Sequence, residues 1–420
     1  MIVAKNKLHK IINEHFYFLY NVFFIVGLLY CGLNSTMILH NQHIIQFFIK
    51  MIFFIGLLFM LYKTFFIDSK QYHEQLINKE SIITFLTISF VFVCGHLART
   101  SDVTYFLIYI ISTKNISLKL ITKNIIIILV SLIVIANFLS SIGLIENLEI
   151  YRLEGIVRFA NGFNYTTIYS AYIFMLNMSI GVYYILSKNE HSIKYFTKKW
   201  LILFLIIFLT TLSYIQTNTR TDLMLNIILI IILFNYFFIS NNFKLNYFIQ
   251  NIIKCTLLFI PLLIALFTIV TTIFYESRNK MLEFLNNIFS GRLFLVHNAF
   301  LKYPPKLIGQ YFKQVGNGGK TKLPLGETYF YIDNSFARVL FMLGIIVFAA
   351  LIYIIFVAIL NMLNTNNNQI LYLAIIVILS CLEGTSADNM LLLVNIGLFI
   401  TYVGFTNNFN ALIKSKVKLY

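Results

Sequence analysis

Charge is what this chain has least of. Of its 420 residues, 11% are Asp, Glu, Lys or Arg, and the acidic residues number only 16. With 59% hydrophobic and 17% aromatic residues, too little polar surface remains to coat a water-soluble domain. The four cysteines, Cys31, Cys94, Cys255 and Cys381, lie singly in apolar runs without CxxC spacing. That excludes a disulfide framework or a thiolate metal centre and leaves them as small buried hydrophobes. Internal repeats and low-complexity tracts are missing, and no basic module for nucleic acid is expected. Lysines near the start (Lys5, Lys7, Lys10) precede an apolar run with no small-residue cleavage pattern, so the first run is expected to stay as a membrane helix.

What the chain does have is long apolar runs. A hydrocarbon core of ~30 Å takes roughly 20 apolar residues per helix. On that criterion about twelve spans are expected: 16–33, 44–67, 82–97, 103–111, 125–145, 166–186, 200–216, 223–239, 252–274, 335–360, 370–382 and 390–405. The fourth is short and is expected either to borrow flanking residues or to be re-entrant. The fold class is therefore all-α, a polytopic integral membrane protein forming one domain over residues 1–420. Lysine-bearing loops alternate along the chain, which places both termini and those loops in the cytoplasm.

One long polar segment interrupts the pattern. Residues 275–334 hold three of the four prolines (Pro304, Pro305, Pro324) and a glycine cluster at Gly316, Gly318 and Gly319. On the alternating topology they form a large extracytoplasmic loop subdomain. All seven arginines, Arg99, Arg152, Arg158, Arg220, Arg278, Arg292 and Arg338, fall at that same face, whereas the cytoplasmic loops use only lysine. Guanidinium offers a planar fork of donors that grips phosphate or carboxylate in bidentate fashion. The set therefore points to an anionic ligand at the outer boundary. The blander reading of any single arginine is snorkelling or pairing with a nearby acid.

Four stretches could carry chemistry. In YRLEGIVRFANGFNYTT, Arg152 and Arg158 precede a helix expected to start near Asn164 or Thr166, and Gly155 and Gly162 allow close backbone approach. In TNTRTD, Arg220 and Asp222 sit in a turn between two apolar helices, where polar groups are costly without partners. IFSGRLFLVHNAFLKYPP reads as a helix starting near Arg292 and ended by the prolines. Arg292, Val296 and Ala299 share a face there, and His297 lies on another, either as a base or as a structural histidine. In YIDNSFARVLFMLGII, Asp333 or Asn334 can cap the next helix, which leaves Asp333 open to a cap or a catalytic role. Glu383 and Asp388, like Arg99 and Asp102, read as polar ends of short turns.

Taken in order, RFANGFNYTT, NTRTD, the long loop with its Gly-Arg and Tyr-Pro-Pro, and DNSFARVLFMLGII resemble the Wzy-type oligosaccharide repeat-unit polymerases and the related O-antigen ligases. The likeness covers residues 152–344. It implies a glycosyl transfer at the outer face of the cytoplasmic membrane, in which an undecaprenyl diphosphate-linked oligosaccharide is the donor and the sugar of another lipid-linked unit is the acceptor. Undecaprenyl diphosphate is then released without a cofactor, and a flippase and a chain-length regulator are implied as partners. Arg152, Arg158, Arg220, Arg292 and Arg338 are the expected donor-binding residues, with Asp333 ahead of His297 as the acid or base. Ligases carry His-Asn where this chain has Asp333-Asn334, which favours the polymerase. A flippase, the rival from another class, calls for two similar halves, short loops and a charged central cavity.

Overall fold

The computed structural model describes residues 2–40, 42–68, 79–151, 155–187, 193–239, 247–289, 291–316, 329–365 and 367–409. Among them, ten helices are long and apolar enough to cross a membrane, and the chain is an all-α multi-pass membrane protein. In chain order, α1 (Ile2–Asn34), α2 (His43–Tyr62), α3 (Lys79–Leu97), α4 (Asp102–Ile111) and α5 (Leu118–Ser141) form the first part. A two-stranded antiparallel hairpin follows, β1 (Glu149–Tyr151) and β2 (Val157–Phe159). Then come α6 (Thr166–Ile185), α7 (Ile193–Thr217), α8 (Arg220–Phe234) and α9 (Tyr247–Phe274). After two loop helices, α10 (Lys280–Ile288) and α11 (Arg292–Lys302), the last part is α12 (Ser335–Arg338), α13 (Ile345–Leu363), α14 (Asn368–Ser386) and α15 (Ile396–Phe405).

The helices are not equivalent. The apolar windows of α6 and α14 are 78% and 72% buried, against 11% for α3, so α6 and α14 form the centre and α3 a lipid-facing edge. Buried amides stitch the centre together. Asn177 of α6 donates to Asn226 of α8 at 2.8 Å and to Thr210 of α7 at 3.3 Å, satisfying groups that would be costly at membrane depth.

Two features differ from the sequence expectation. The span expected over 335–360 is broken: α12 runs into a π-helical turn (Val339–Leu343), and α13 begins only after Gly344. Gly344 has φ +98°, and a Cβ there would meet Leu307 O and Ile308 C at 2.7 Å, so the loop backbone passes through the place of a side chain. Ile345 N then donates to Lys306 O at 2.9 Å, fastening the loop beneath the helix start. Second, the expected helix 390–405 starts at Ile396, because Asn395 turns the chain. Its side chain accepts from Gly397 N and donates to Ser380 Oγ at 2.8 Å. The run expected to be short is short: α4 has only ten residues, about 15 Å, half a bilayer core. It packs on the equally short α15.

Hydrogen bonds sort the loops into two ends. At one, Asn164 N bonds Ser35 O, Arg158 bonds Thr217, and Asn334 Nδ2 bonds Thr385 O. At the other, Lys63 bonds Lys114 O and Asn361 bonds Gly404 O. The described arginines all lie at the first end.

Candidate functional site

Four segments build the site at the arginine end. Hairpin pairing sets Arg158 opposite Ile150. Gly162, at φ +79°, then brings the chain so close to α5 that a Cβ would stand 2.7 Å from Ala136 O, which is the close approach expected of it. Arg158 is only 7% exposed, and its Nε donates to the Thr217 carbonyl that ends α7. From that same turn α8 begins. Arg220 points outward and is exposed, while Asp222, one turn into the apolar helix, is buried. The hydroxyls of Ser170 and Thr219 bond to each other beside the Asp222 carboxylate.

The third segment is α11. It starts at Arg292 and ends before Pro304, as its residues predict. Leu293, Val296 and Ala299 are its buried face. Arg292 Nη1 donates to Phe289 O at 3.3 Å, but its Nε is buried without a hydrogen-bond partner among the described residues. His297 faces elsewhere. Its Nδ1 donates to the Thr272 carbonyl at 2.8 Å and its ring leans on Tyr275, so it pins α11 to the end of α9. The expectation that Arg292 and His297 do not cooperate directly agrees with this arrangement.

The fourth segment carries Asp333. Asn334 takes the capping role, its side chain accepting from Ala337 N at 2.9 Å, which releases Asp333 from it. The Tyr329 hydroxyl donates to Asp333 Oδ2 at 3.3 Å. Burial pushes the Asp333 carboxyl above the usual carboxylate range, against the opposing pull of Arg292, the Tyr329 hydrogen bond and Arg338. Arg338 pairs with Asp388, donates to the Tyr331 hydroxyl at 3.2 Å and lies over its ring. Ser335 Oγ donates to Ala387 O at 2.7 Å, drawing the segment after α14 against α12.

The hub is Arg292, which pulls electrostatically on Asp222, Asp333 and Glu383 alike. Glu383 corrects the reading of it as a solubilising turn residue: it is 1% exposed inside α14, and neither carboxylate oxygen has a hydrogen-bond partner of ordinary geometry, with Asn389 beside it. The signal was present in the sequence as an acid inside the apolar run LSCLEGTS, a placement that marks function by default. Asp222 was singled out with Arg220 but not placed among the expected site residues, and the tyrosines around Asp333 were missed, because side-chain direction at a helix start and loop folding are not periodic.

Of the expected donor-binding residues, the fold brings together Arg158, Arg292 and Arg338 around these acids. Arg220 opens α8 with an exposed side chain, and Arg152 lies outside the described residues. The site has two openings. A cleft of about 290 Å³ is lined by Asn164, Tyr165, Tyr329, Tyr331, Asp333 and Arg338, among others. A much narrower one, about 10 Å³, lies between α9 and α11 and holds Arg292 and Asn334. Adjacent residues Asp333 and Asn334 thus form the wall between the two. No group of three or more metal-ligating side chains occurs among the described residues. Comparison with known protein families, characterised proteins and solved structures finds no match.

Proposed function

We propose that the chain is a membrane glycosyltransferase that joins undecaprenyl diphosphate-linked oligosaccharide repeat units at the outer face of the cytoplasmic membrane. The observation that carries this reading is the placement of Arg292 and Arg338, from two separate segments, about Asp333, while Arg292 and Arg158 together act on Asp222. The family resemblance of residues 152–344 supplies the substrate class. The arginine end then faces away from the cytoplasm, and both termini face it.

In this reaction the acceptor sugar hydroxyl gives its proton to the Asp333 carboxylate as its oxygen bonds to the anomeric carbon of the donor. The bond from that carbon to the diphosphate oxygen breaks, and its electron pair stays on the departing lipid diphosphate. Fixed guanidinium groups in a water-poor site stabilise the charge that grows there. Tyr165, Tyr329 and Tyr331 offer ring faces and hydroxyls to a saccharide in the larger cleft. The described arginines gather at one end instead of lining a central passage, which favours bond formation over transport.

The test is purified protein in lipid nanodiscs with a synthetic lipid diphosphate-linked repeat unit. A ladder of longer products is the expected result. Transfer only to a different acceptor lipid marks a ligase, and movement across vesicles without a new bond marks a flippase; either outcome overturns the polymerase reading.

A further inference from the structure

Helix α10 has an apolar face that none of the described residues covers. Met281, Phe284 and Ile288, spaced three and four apart, are 72%, 65% and 54% exposed, while Lys280, Glu283 and Asn287 occupy other faces. This is the pattern of a helix that lies in the membrane–water boundary. The helix is placed for it: α9, a spanning helix, ends at Phe274, and α10 begins six residues later. An exposed stripe of Leu263, Leu266, Val270 and Phe274 runs along α9 to the same point, so the lipid-facing surface continues onto α10.

The narrow Arg292 cleft opens at this junction. Phe267 and Phe289 stand across it with ring centroids 5.6 Å apart, and Thr268 and Thr271 line its α9 side. His297, bonded to Thr272, holds the far side of α11 to α9, whereas among the described residues no such bond ties α10 or Phe289 to α9. The cleft now has room for about one water. Yet it ends on a guanidinium whose Nε is buried and, among the described residues, unpartnered, and which acts electrostatically on the buried Glu383. A buried donor without a partner is costly, and an anionic oxygen would satisfy it.

The geometry points to a lateral portal: α10 floats on the outer leaflet, and parting of Phe289 from Phe267 admits the phosphate-bearing headgroup of a long-chain lipid from the bilayer to Arg292. The portal deepens the glycosyltransferase reading, on which the identity of its lipid diphosphate rests. The same chemistry fits a bulk phospholipid phosphate, and the experiment separates the two sources.

The full chain in nanodiscs is tested in two steps. Trp200 is the only tryptophan, so Phe284→Trp in a Trp200→Phe background reports one site. Its emission should be blue-shifted and quenched at least twofold by lipids brominated on the acyl chain, whereas Glu283→Trp in the same background should not be. Equal, water-like emission from both overturns the interfacial placement. Next, a polyprenyl diphosphate bearing a diazirine near its headgroup should label residues of the Phe267–Phe289 cleft. Arg292→Gln should cut that labelling at least tenfold. A Phe267→Cys/Phe289→Cys disulfide, in a chain stripped of its native cysteines, should do the same until reductant is added. Competition by unlabelled polyprenyl diphosphate but not by phosphatidylglycerol identifies the lipid diphosphate as the ligand. Competition by both identifies any lipid phosphate and still supports the portal. Labelling without polymer formation overturns the polymerase reading and leaves the portal standing. Polymer formation by a protein whose cleft is never labelled overturns the portal alone.

Discussion

The two ends of the bundle both bury charge, and they treat it in opposite ways. At the lysine end Lys63 and Asp68, 2% and 6% exposed, bond to each other at 2.8 Å. Lys63 also donates to Lys114 O at 2.9 Å, and Asn115 donates to Asp68 at 3.3 Å, which closes the network. At the arginine end, among the described residues, Arg292 Nε has no hydrogen-bond partner and the Glu383 carboxylate has only Asn389 beside it, without ordinary hydrogen-bond geometry. A satisfied buried pair holds helices in register, whereas groups kept dry and unpartnered are costly unless a ligand completes them. The contrast assigns architecture to one end and, on the proposed function, chemistry to the other.

The sharpest way to break the contrast is to neutralise the wall residue. Asp333→Asn should lower polymer formation by about 10²–10⁴-fold with the protein still inserted and folded. Because burial raises the Asp333 carboxyl, the wild-type rate should climb with pH through a midpoint above the ordinary carboxylate value, since only the ionised form accepts a proton. Asp333→Asn should remove that limb from the pH profile of kcat/KM. The linked effect on folding has the opposite direction. A raised carboxyl pKa contributes stability at acid pH that is lost as pH rises through the folded value.

The architectural end should respond in stability and not in chemistry. Lys63→Met leaves Asp68 buried and unpaired, and should cost about 3–5 kcal/mol, read as lost detergent-stable protein. Adding Asp68→Leu should recover most of it, and a double variant as unstable as the single one would sink the view of this pair as a structural fastener. Arg292→Lys keeps the charge but not the fork, and should reduce activity by about 10²–10³-fold without loss of folded protein. Normal polymer length from this variant would remove Arg292 from the site. The smallest effect belongs to His297→Ala, which loses one bond to Thr272 and should cost about 1 kcal/mol of stability while kcat keeps its pH profile. A lost acid or base limb there would return His297 to catalysis.

The long apolar runs determined that this is a helical multi-pass membrane protein, because a run of roughly 20 apolar residues crosses lipid as a helix that satisfies its own backbone. Local rules also determined α11, from Arg292 to the prolines, and a helix beginning at Thr166, since caps and breakers act within a few residues. The arginine bias was legible too, as were the candidates Arg158, Arg292, Arg338 and Asp333. Only the tertiary structure decided the rest. It made Asn334 the cap and left Asp333 to the cleft, assigned His297 to a backbone carbonyl, and broke the expected span at Gly344 where a distant loop passes through. It also turned Glu383 from a surface acid into a buried neighbour of Arg292, 91 positions away along the chain. Periodicity reports which residues face away from water, but which distant side chains share a dry pocket depends on how whole helices pack.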